Sequence, residues 1–417
     1  MCSTRETRSY QYILLILISI GILSMGFLFS NAFTGSGNAH FGKVEVPNSG
    51  ENMKTPEEHQ NTPAKKLILV WKYGLTLENR HIHRFNPLKR YSPWKNCPVT
   101  SCELTYSDKD SDKADAVLFH LQRMTKRDAT TISRWSQKNR NPNQIWVFLT
   151  DESPMHTTFY LAYNGLFNWS MTYRSDSDVW VPYGRTVENL AFSEANRTHQ
   201  LQEMPDYLPG IPKKHELVAV MGSNCARTRA SNRWKYIQIL LNHFKISEQK
   251  LHIFGACLGG NRTACPGHFN QDCSVLNNYK FYLAFENSNC REYLTEKVFW
   301  NAYSKFSVPV IMGAPKRDCE RLLPPQSYIH VEDFDSPEDL VNYLRYIDEH
   351  YEKYEKYHAW RRHWKVLNEH GYFGSESKHY CRLCQALWRN KSRTKYYENP
   401  SEYWSQKDCI LSSDEID

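Results

Sequence analysis

Short apolar runs alternate along this chain with helical patterns, and this alternation constrains the fold more than any other feature. Such runs occupy 65–74, 114–121 and 143–153, and a helical pattern lies between the last two, at 130–139. Strands that are apolar on both faces are typical of a parallel sheet covered by helices on both sides. The sequence therefore predicts an α/β domain in this part of the chain.

A second alternation follows a proline-rich segment. Residues 201–215 contain three prolines and a glycine, which is typical of a linker between domains. Ser336 as a cap and Pro337 at the first helical position mark the start of a long helix. Beyond the linker the sequence predicts strands at 216–224, 250–257, 280–285, 307–313 and 327–334, and helices at 227–244, 295–306 and 336–360. We expect two doubly wound, Rossmann-like domains facing each other across a cleft, at 65–205 and 206–395, with a C-terminal tail at 396–417.

The N-terminal segment 10–33 carries no charged residue. A helix of about 20 residues crosses a bilayer core of about 30 Å, so we predict a transmembrane signal-anchor at 10–30. Arg5 and Arg8 precede it, which predicts a cytosolic tail at 1–9 and a lumenal chain beyond. A cleaved signal peptide is the alternative. Residues 31–64 are polar and rich in Gly, Pro, Asn and Glu, as in a flexible stem.

Sequons and cysteines agree with a lumenal chain. Of twelve cysteines, Cys2 lies in the predicted cytosolic tail, and the remaining eleven are an odd number for disulfide pairing. Two closely spaced pairs suggest local bridges or partners in a larger framework, with a zinc site or a redox pair as weaker alternatives. These disulfide candidates are Cys97, Cys102, Cys381 and Cys384. The four glycosylation sequons begin at Asn168, Asn196, Asn261 and Asn390.

The charge of the chain excludes one class of partner. The net charge is +7, and no run of five Lys or Arg occurs, which argues against nucleic acid. A small positive excess suits an anionic substrate such as a nucleotide sugar.

The segment 285–297, FENSNCREYLTEK, places polar groups between a buried strand and a predicted helix. Ligands of open α/β sheets bind at the carboxyl ends of strands. Tyr293, Glu296 and Lys297 have the spacing to share one helix face, and a lysine at a helix start suits a diphosphate. The alternative is an ordinary surface helix that begins with Glu296 and Lys297. No Walker loop, GxGxxG after a strand or GxSxG occurs.

Residues 281–315, FYLAFENSNCREYLTEKVFWNAYSKFSVPVIMGAP, resemble the signature of the α1,3-fucosyltransferase family: FENS, a short loop, Y-[IVL]-T-E-K and V-P-V-x-x-G. Segments 152–157, 172–184 and 223–240 resemble family segments in the family's order, so the resemblance covers roughly 67–390. It implies a GT-B architecture, GDP-fucose as donor, and an inverting transfer without a required cofactor or catalytic metal. "CPVTSC" and "FENSNCREY" look more like the invertebrate, core-modifying branch, which leaves the inner GlcNAc of an N-glycan and an outer lactosamine-type GlcNAc as alternative acceptors.

The resemblance also implies roles for individual residues. Glu152 matches the general base, and the neighbouring Asp151 is its rival. Lys297 and Arg233 match residues on the GDP diphosphate, with Arg227 and Arg229 as alternatives to Arg233. The other positions that match donor contacts are Glu296, Tyr293, Asn287, Ser223 and Asn224.

These matches predict a single-pass type II Golgi membrane enzyme whose partners are GDP-fucose and a glycoprotein glycan. One alternative is a metal-dependent transferase of another sugar that uses the acidic triplet of Asp176 and Asp178, whereas the triplet of Asp108 and Asp110 lies in a polar turn that is typical of a solvated surface. Another is a membrane-anchored glycan-binding protein without catalysis.

Overall fold

The computed structural model describes residues 64–72, 75, 92–190, 210–226, 230–246, 250–265, 272–389 and 395–411. The predicted transmembrane segment at 10–30, the tail at 1–9, nearly all of the stem and residues 201–209 of the linker lie outside these ranges. Within the described ranges, no helix combines the length and apolar character that a membrane span requires. The described residues belong to one compact unit, Thr62–Asp417.

The first half of this unit contains a parallel six-stranded sheet in the order β2-β1-β3-β4-β5-β6. Its strands are β1 Lys66–Val70, β2 Cys102–Thr105, β3 Ala116–His120, β4 Ile145–Thr150, β5 Trp169–Thr172 and β6 Val179–Trp180. Every residue of β3 and β4 is buried, because both faces of these strands are covered. The predictions for β1, β3, β4 and helix α1 (Lys126–Asn139) are confirmed.

The second half contains a parallel five-stranded sheet in the order β13-β12-β10-β8-β9. Its strands are β8 Glu216–Met221, β9 Leu251–Phe254, β10 Tyr279–Phe285, β12 Val308–Met312 and β13 Ile329–His330. The helices of this half are α2 Arg233–Ile246, α3 Lys316–Leu322, α4 Pro337–Glu349 and α5 Tyr351–Lys356. The two parallel sheets confirm the predicted α/β class.

Two predicted helices differ in the structure. The helix predicted at 336–360 is wrong in length, because α4 and α5 are separated at His350, whose backbone leaves the helical region (φ −117°, ψ 81°). Its start is confirmed, since the Ser336 side chain accepts a hydrogen bond from the Asp339 backbone N–H. The segment predicted as a helix at 295–306 forms a π-helix, Lys297–Ala302, and then a 3₁₀ turn, Tyr303–Lys305.

The C-terminal segment returns to the first sheet. After strand β14 (Trp364–Asn368), which pairs with β7 (Gly184–Glu188), comes helix α6 (His379–Arg389). Tyr380, Leu383 and Cys384 of this helix share a core with residues of β1, β3 and β4. Helix α6 thus packs with the first sheet, although its residues fall inside the range predicted for the second domain, 206–395. The other predicted domain boundaries stay a prediction.

Disulfides join these distant segments. Cys97 pairs with Cys381 and Cys102 with Cys384, so α6 is bonded covalently to the first half. The other pairs are Cys225–Cys257, Cys265–Cys273 and Cys290–Cys409. The last of these links strand β11 (Asn289–Cys290) to strand β15 (Cys409–Ile410). Strand β15 follows helix α7 (Pro400–Tyr403) in the sequence. Cys319 is a buried thiol.

Candidate active site

The carboxyl ends of two strands from different sheets meet at the centre of the molecule. Glu152 and Ser153 follow β4 of the first sheet, and Asn287 and Ser288 follow β10 of the second. Asn287 Nδ2 donates a hydrogen bond to Glu152 Oε2 (3.3 Å), and Ser288 Oγ donates to Ser153 Oγ (2.6 Å). This junction of strand ends is where open α/β folds bind their ligands.

Tyr293 gives Glu152 a second hydrogen bond. Its hydroxyl donates to Glu152 Oε2 (3.0 Å), and its ring packs 5.0 Å from that of Tyr173. Burial raises the pKa of Tyr293 well above its usual value, so the phenol remains a donor. Among the hydrogen bonds of the described residues, both side-chain donors to Glu152 end on Oε2. The orientation of this half-buried carboxylate is therefore fixed by the two hydrogen bonds to Oε2.

Asp151, the neighbouring carboxylate, points into the interior. Its Oδ1 lies 3.1 Å from His379 Nε2, and its Oδ2 lies 3.6 Å from His120 Nε2 and 3.7 Å from His370 Nε2. We call these four residues the histidine cluster; each is at most 2% exposed. Burial raises the pKa of Asp151, but the three imidazoles outweigh it and hold this pKa well below its usual value. A substrate at the strand ends has access to Glu152 and none to Asp151.

Lys297 occupies the first position of the π-helix. Its Nζ lies 2.9 Å from Glu286 Oε2 and 3.2 Å from Glu296 Oε1. Glu286 is fully buried and also accepts hydrogen bonds from the backbone N–H (2.9 Å) and hydroxyl (2.8 Å) of Thr295. Burial alone would lower the pKa of Lys297, but the two carboxylates raise it above its usual value. The ammonium group is thus a permanent, well-positioned cation.

Arg233, at the start of α2, is a second cation in the same region. Its guanidinium donates to the carbonyl oxygens of Phe285 and Asn224, both at 3.0 Å. Burial lowers the pKa of Arg233, and its positive charge also opposes that of Lys297. Because each charge disfavours the other, an anion bound beside both would relieve this repulsion.

Gly313 permits the close packing behind Glu286. It follows β12 with φ +141°, and a Cβ atom at this position would lie 2.7 Å from the Cβ of Glu286. Only glycine combines this backbone conformation with the available space. The glycine of the VPVIMG stretch therefore allows Glu286 to reach Thr295 and Lys297.

Comparison with known proteins identifies the family. Residues 211–403 match the C-terminal profile of glycosyltransferase family 10 (fucosyltransferase), and residues 63–184 match the fucosyltransferase N-terminal profile. The chain is 32% identical over 346 residues to human 4-galactosyl-N-acetylglucosaminide 3-alpha-L-fucosyltransferase, covering 82% of this chain and 84% of the relative. The chain belongs to glycosyltransferase family 10, the fucosyltransferases.

A second relative and a solved structure also resemble this chain. A Drosophila melanogaster glycoprotein 3-alpha-L-fucosyltransferase is 32% identical over 74% of this chain and 55% of the relative. A crystal structure of an α1,3-fucosyltransferase with GDP-fucose aligns with a TM-score of 0.46 and 17% identity, covering 84% of this chain and 96% of that one.

The structure brings together most of the residues that the sequence singled out in this fucosyltransferase. Glu152, Asn287, Tyr293, Glu296, Lys297 and Arg233 all lie around the strand-end junction. Ser223 and Asn224 follow β8 and are exposed, and the Asn224 carbonyl accepts from Arg233. Arg227 and Arg229, the alternatives to Arg233, lie outside the described residues.

The prediction that Tyr293 shares a helix face with Lys297 is wrong. Glu292 has a left-handed backbone (φ +56°), and the Tyr293 N–H donates to the Cys290 carbonyl in a turn. The helix begins only at Lys297, so Tyr293 reaches Glu152 from this turn.

Sequence reasoning missed the three histidines of the histidine cluster. His120 ends β3, His370 follows β14, and His379 begins α6. They lie far apart in the sequence and show no ligand-like spacing, so only the return of the C-terminal segment to the first sheet brings them together.

The acidic triplet at 176–178 is engaged by protein partners in this fucosyltransferase. Asp176 forms ion pairs with Arg174 and Arg291, and Asp178 accepts from Ser170 and Lys395. In the other triplet, Asp110 accepts from the Thr105 hydroxyl. These contacts favour structural roles, and we propose no metal site at either triplet.

Two of the four sequons lie in the described residues. Asn168 is buried, its Oδ1 accepts from the Trp146 backbone N–H (2.8 Å), and its Nδ2 donates to the Lys395 carbonyl (3.0 Å). This packing leaves no room for a glycan, so the prediction for Asn168 is corrected. Asn261 is exposed, whereas Asn196 and Asn390 lie outside the described residues.

Proposed function

We propose that this chain transfers L-fucose from GDP-fucose in α1,3 linkage to a GlcNAc of a glycoprotein glycan, with inversion at the anomeric carbon. One observation carries the proposal. The base candidate Glu152, from the first sheet, is hydrogen bonded to the loop of the second sheet that leads to the cation Lys297. A proton acceptor and a charge that suits a diphosphate thus flank one junction.

Glu152 supplies the base. As the acceptor hydroxyl attacks the anomeric carbon, its proton passes to the carboxylate of Glu152. The bond from fucose to GDP breaks, and its electron pair goes to the phosphate oxygen. The hydrogen bonds from Asn287 and Tyr293 orient the carboxylate for this role. A single displacement inverts the configuration, so a β-linked donor gives an α-linked product.

Lys297 and Arg233 stabilise the leaving group. Negative charge develops on GDP as the bond breaks, and fixed cations stabilise it without reorganising. Glu296 and Glu286 position the ammonium group of Lys297. We assign donor contacts to Asn287 and Tyr293 as well, and contacts with the nucleotide to the exposed Ser223 and Asn224 after β8. Two protein cations can supply the neutralisation that a metal provides in other transferases, so the proposed reaction requires no catalytic metal.

The proposed location is the Golgi membrane, with the described residues in the lumen. The uncharged segment at 10–30 and the five disulfides support a type II protein in an oxidising compartment. The exposed Asn261 should carry a glycan in animal cells, and Asn168 should not. Peptide mapping after enzymatic deglycosylation checks both sites, and an unmodified Asn261 in the full-length protein would count against a lumenal chain.

The test of the activity uses the full chain in detergent. We expect fucose transfer from GDP-fucose to a GlcNAc acceptor, measured by mass spectrometry, with the α1,3 linkage assigned by NMR. The panel contains an N-glycan with an accessible inner GlcNAc and one with lactosamine antennae, because the names of the relatives indicate different acceptors. Transfer of another sugar in place of fucose, or activity that EDTA abolishes and that Mn²⁺ but not Zn²⁺ restores, would contradict the proposal.

A further inference from the structure

The histidine cluster gathers four potential metal ligands immediately behind the proposed base. Atoms of Asp151, His370 and His379 that can bind a metal all lie within 4.8 Å of one another. His120 lies outside this group of three, with its Nε2 3.6 Å from Asp151 Oδ2. The four side chains come from β3, the end of β4, the segment after β14 and the start of α6. A site assembled from four separate segments depends on the complete fold.

The spacing of these atoms suits a small divalent ion. Ligand bonds of about 2.0–2.1 Å in a tetrahedral Zn²⁺ site place ligand atoms about 3.3–3.4 Å apart. From the Asp151 carboxylate, the separations to His379, His120 and His370 are 3.1, 3.6 and 3.7 Å. The ligand atoms of Asp151, His370 and His379 lie within 4.8 Å of one another, so closure of the cluster around an ion requires side-chain movements of up to about 1 Å. Imidazole and carboxylate are ligands that zinc accepts.

Neighbouring groups orient the ligands in the way that metal sites require. His379 Nδ1 lies 3.0 Å from Ser377 Oγ, which can accept a hydrogen bond from a proton held on Nδ1 when Nε2 binds a metal ion. The ring of His370 is stacked on that of Tyr183, with centroids 4.0 Å apart. The Tyr183 hydroxyl in turn donates to the Asp151 carbonyl (2.8 Å). These contacts fix two imidazole rings and the backbone that carries the carboxylate.

We propose that Asp151, His370 and His379 form a structural Zn²⁺ site, and that the side chain of His120 moves to the fourth position when the ion binds. The ion touches neither donor nor acceptor, since the cluster is buried behind Glu152. Its effect is to join α6 and the segment after β14 to the end of β4, and so to fix the backbone from which Glu152 projects. The site is independent of the proposed transfer reaction, because metal content can be measured without activity.

The test measures zinc in the full chain, expressed in animal cells with added zinc and purified in detergent through a tag without histidine. We expect about one zinc per chain after dialysis, and at least about a 10-fold lower content in His379→Gln and His370→Gln. The matched control is His330→Gln, because His330 is a buried histidine of the second sheet whose Nε2 faces the Ala314 carbonyl. A cooperative thermal unfolding transition shows that each variant is folded.

Two measurements on the wild-type protein also test whether the histidine cluster binds Zn²⁺. Chelation with dipicolinate should lower its Tm, and Co²⁺ added to the stripped protein should give the visible absorption of a tetrahedral site. Less than about 0.1 zinc per chain without Co²⁺ absorption would overturn the proposal and leave the cluster as a hydrogen-bonded network around Asp151. Equal zinc in wild type and both cluster variants would overturn it as well, by placing the metal elsewhere. Absence of fucose transfer would leave these measurements unaffected.

Discussion

At the residue scale, the adjacent carboxylates Asp151 and Glu152 differ in burial and in the partners that surround them. Asp151 is enclosed by three imidazoles, whereas Glu152 is half-buried at the strand-end junction. The amino-acid sequence alone gives no physical ground for choosing between them, since both follow the same apolar strand. The difference arises because one side chain points into the core shared with α6 and the next points to the second sheet.

A pair of substitutions separates the two carboxylates. Glu152→Gln should retain GDP binding and an unchanged Tm but lower kcat by about 10²–10⁴-fold, because the amide cannot accept the acceptor proton. Asp151→Asn should lower the Tm, because it removes the charge that the histidine cluster surrounds. Calorimetry with GDP, product analysis and thermal unfolding check the three quantities. An active Glu152→Gln beside an inactive, fully stable Asp151→Asn would identify Asp151 as the base.

Lys297→Ala tests the diphosphate contact. A charge-assisted hydrogen bond contributes about 1.5–3 kcal/mol, so kcat/KM for GDP-fucose should fall by about 10- to 150-fold or more. The exposed Lys316, which pairs with Asp333 at the surface, offers a matched control as Lys316→Ala. The Tm is measured in parallel, because Glu286 loses its ion-pair partner in the first variant. A Lys297→Ala variant with near-normal kcat/KM would exclude the assigned role.

At the scale of elements, apolar runs predicted the central strands and missed several of the short or half-buried ones. β3, β4, β8, β10 and β12 are buried throughout or nearly so, and each produces a continuous apolar run. β7 and β14 are hydrogen-bonded neighbours, although all strands of the second sheet lie between them in the sequence. Neither strand has a continuous buried face that its own sequence reveals. The π-helix at Lys297 was equally hidden, because an apolar pattern predicts a helix without distinguishing its type.

The turn after α5 gives a prediction for pH. His358 precedes the 3₁₀ helix Ala359–Arg362 and is buried, and burial, reinforced by Arg361 and Lys214, lowers its pKa well below the usual value. The unfolded chain therefore binds the proton more readily below about pH 6.5, and the free energy of unfolding falls there by up to about 1.4 kcal/mol per pH unit. His358→Gln should reduce this slope between about pH 6.5 and 5, as measured by urea unfolding at several pH values.

The matched control for this measurement is His215→Gln, because the side chain of His215 is exposed to solvent. We expect His215→Gln to keep the wild-type slope. If His358→Gln and the wild type show the same dependence on pH, the lowered pKa of His358 does not contribute to acid sensitivity.

At the scale of the whole molecule, two disulfides close nearly the same loop. Cys97–Cys381 and Cys102–Cys384 span 284 and 282 residues. A disulfide stabilises mainly by restricting the unfolded chain, typically by about 2–4 kcal/mol, and the second closure of one loop adds little to the first. Replacing one pair with alanine should therefore cost less than half of what replacing both pairs costs. Chemical denaturation checks this, and equal, additive losses would contradict it.

The return of α6 to the first sheet also sets the order in which the protein can be completed during synthesis. The last strand of that sheet ends at Trp180, but the helix that covers it begins only at His379. Protein synthesis adds about 5–20 residues per second, so helix α6 is made roughly 10–40 s after the last strand of the first sheet. Until then Cys97 and Cys102 cannot form their native disulfides. During this interval the nascent chain exposes an apolar surface and two thiols, so we expect its folding yield to depend on chaperones and on enzymes that form disulfides.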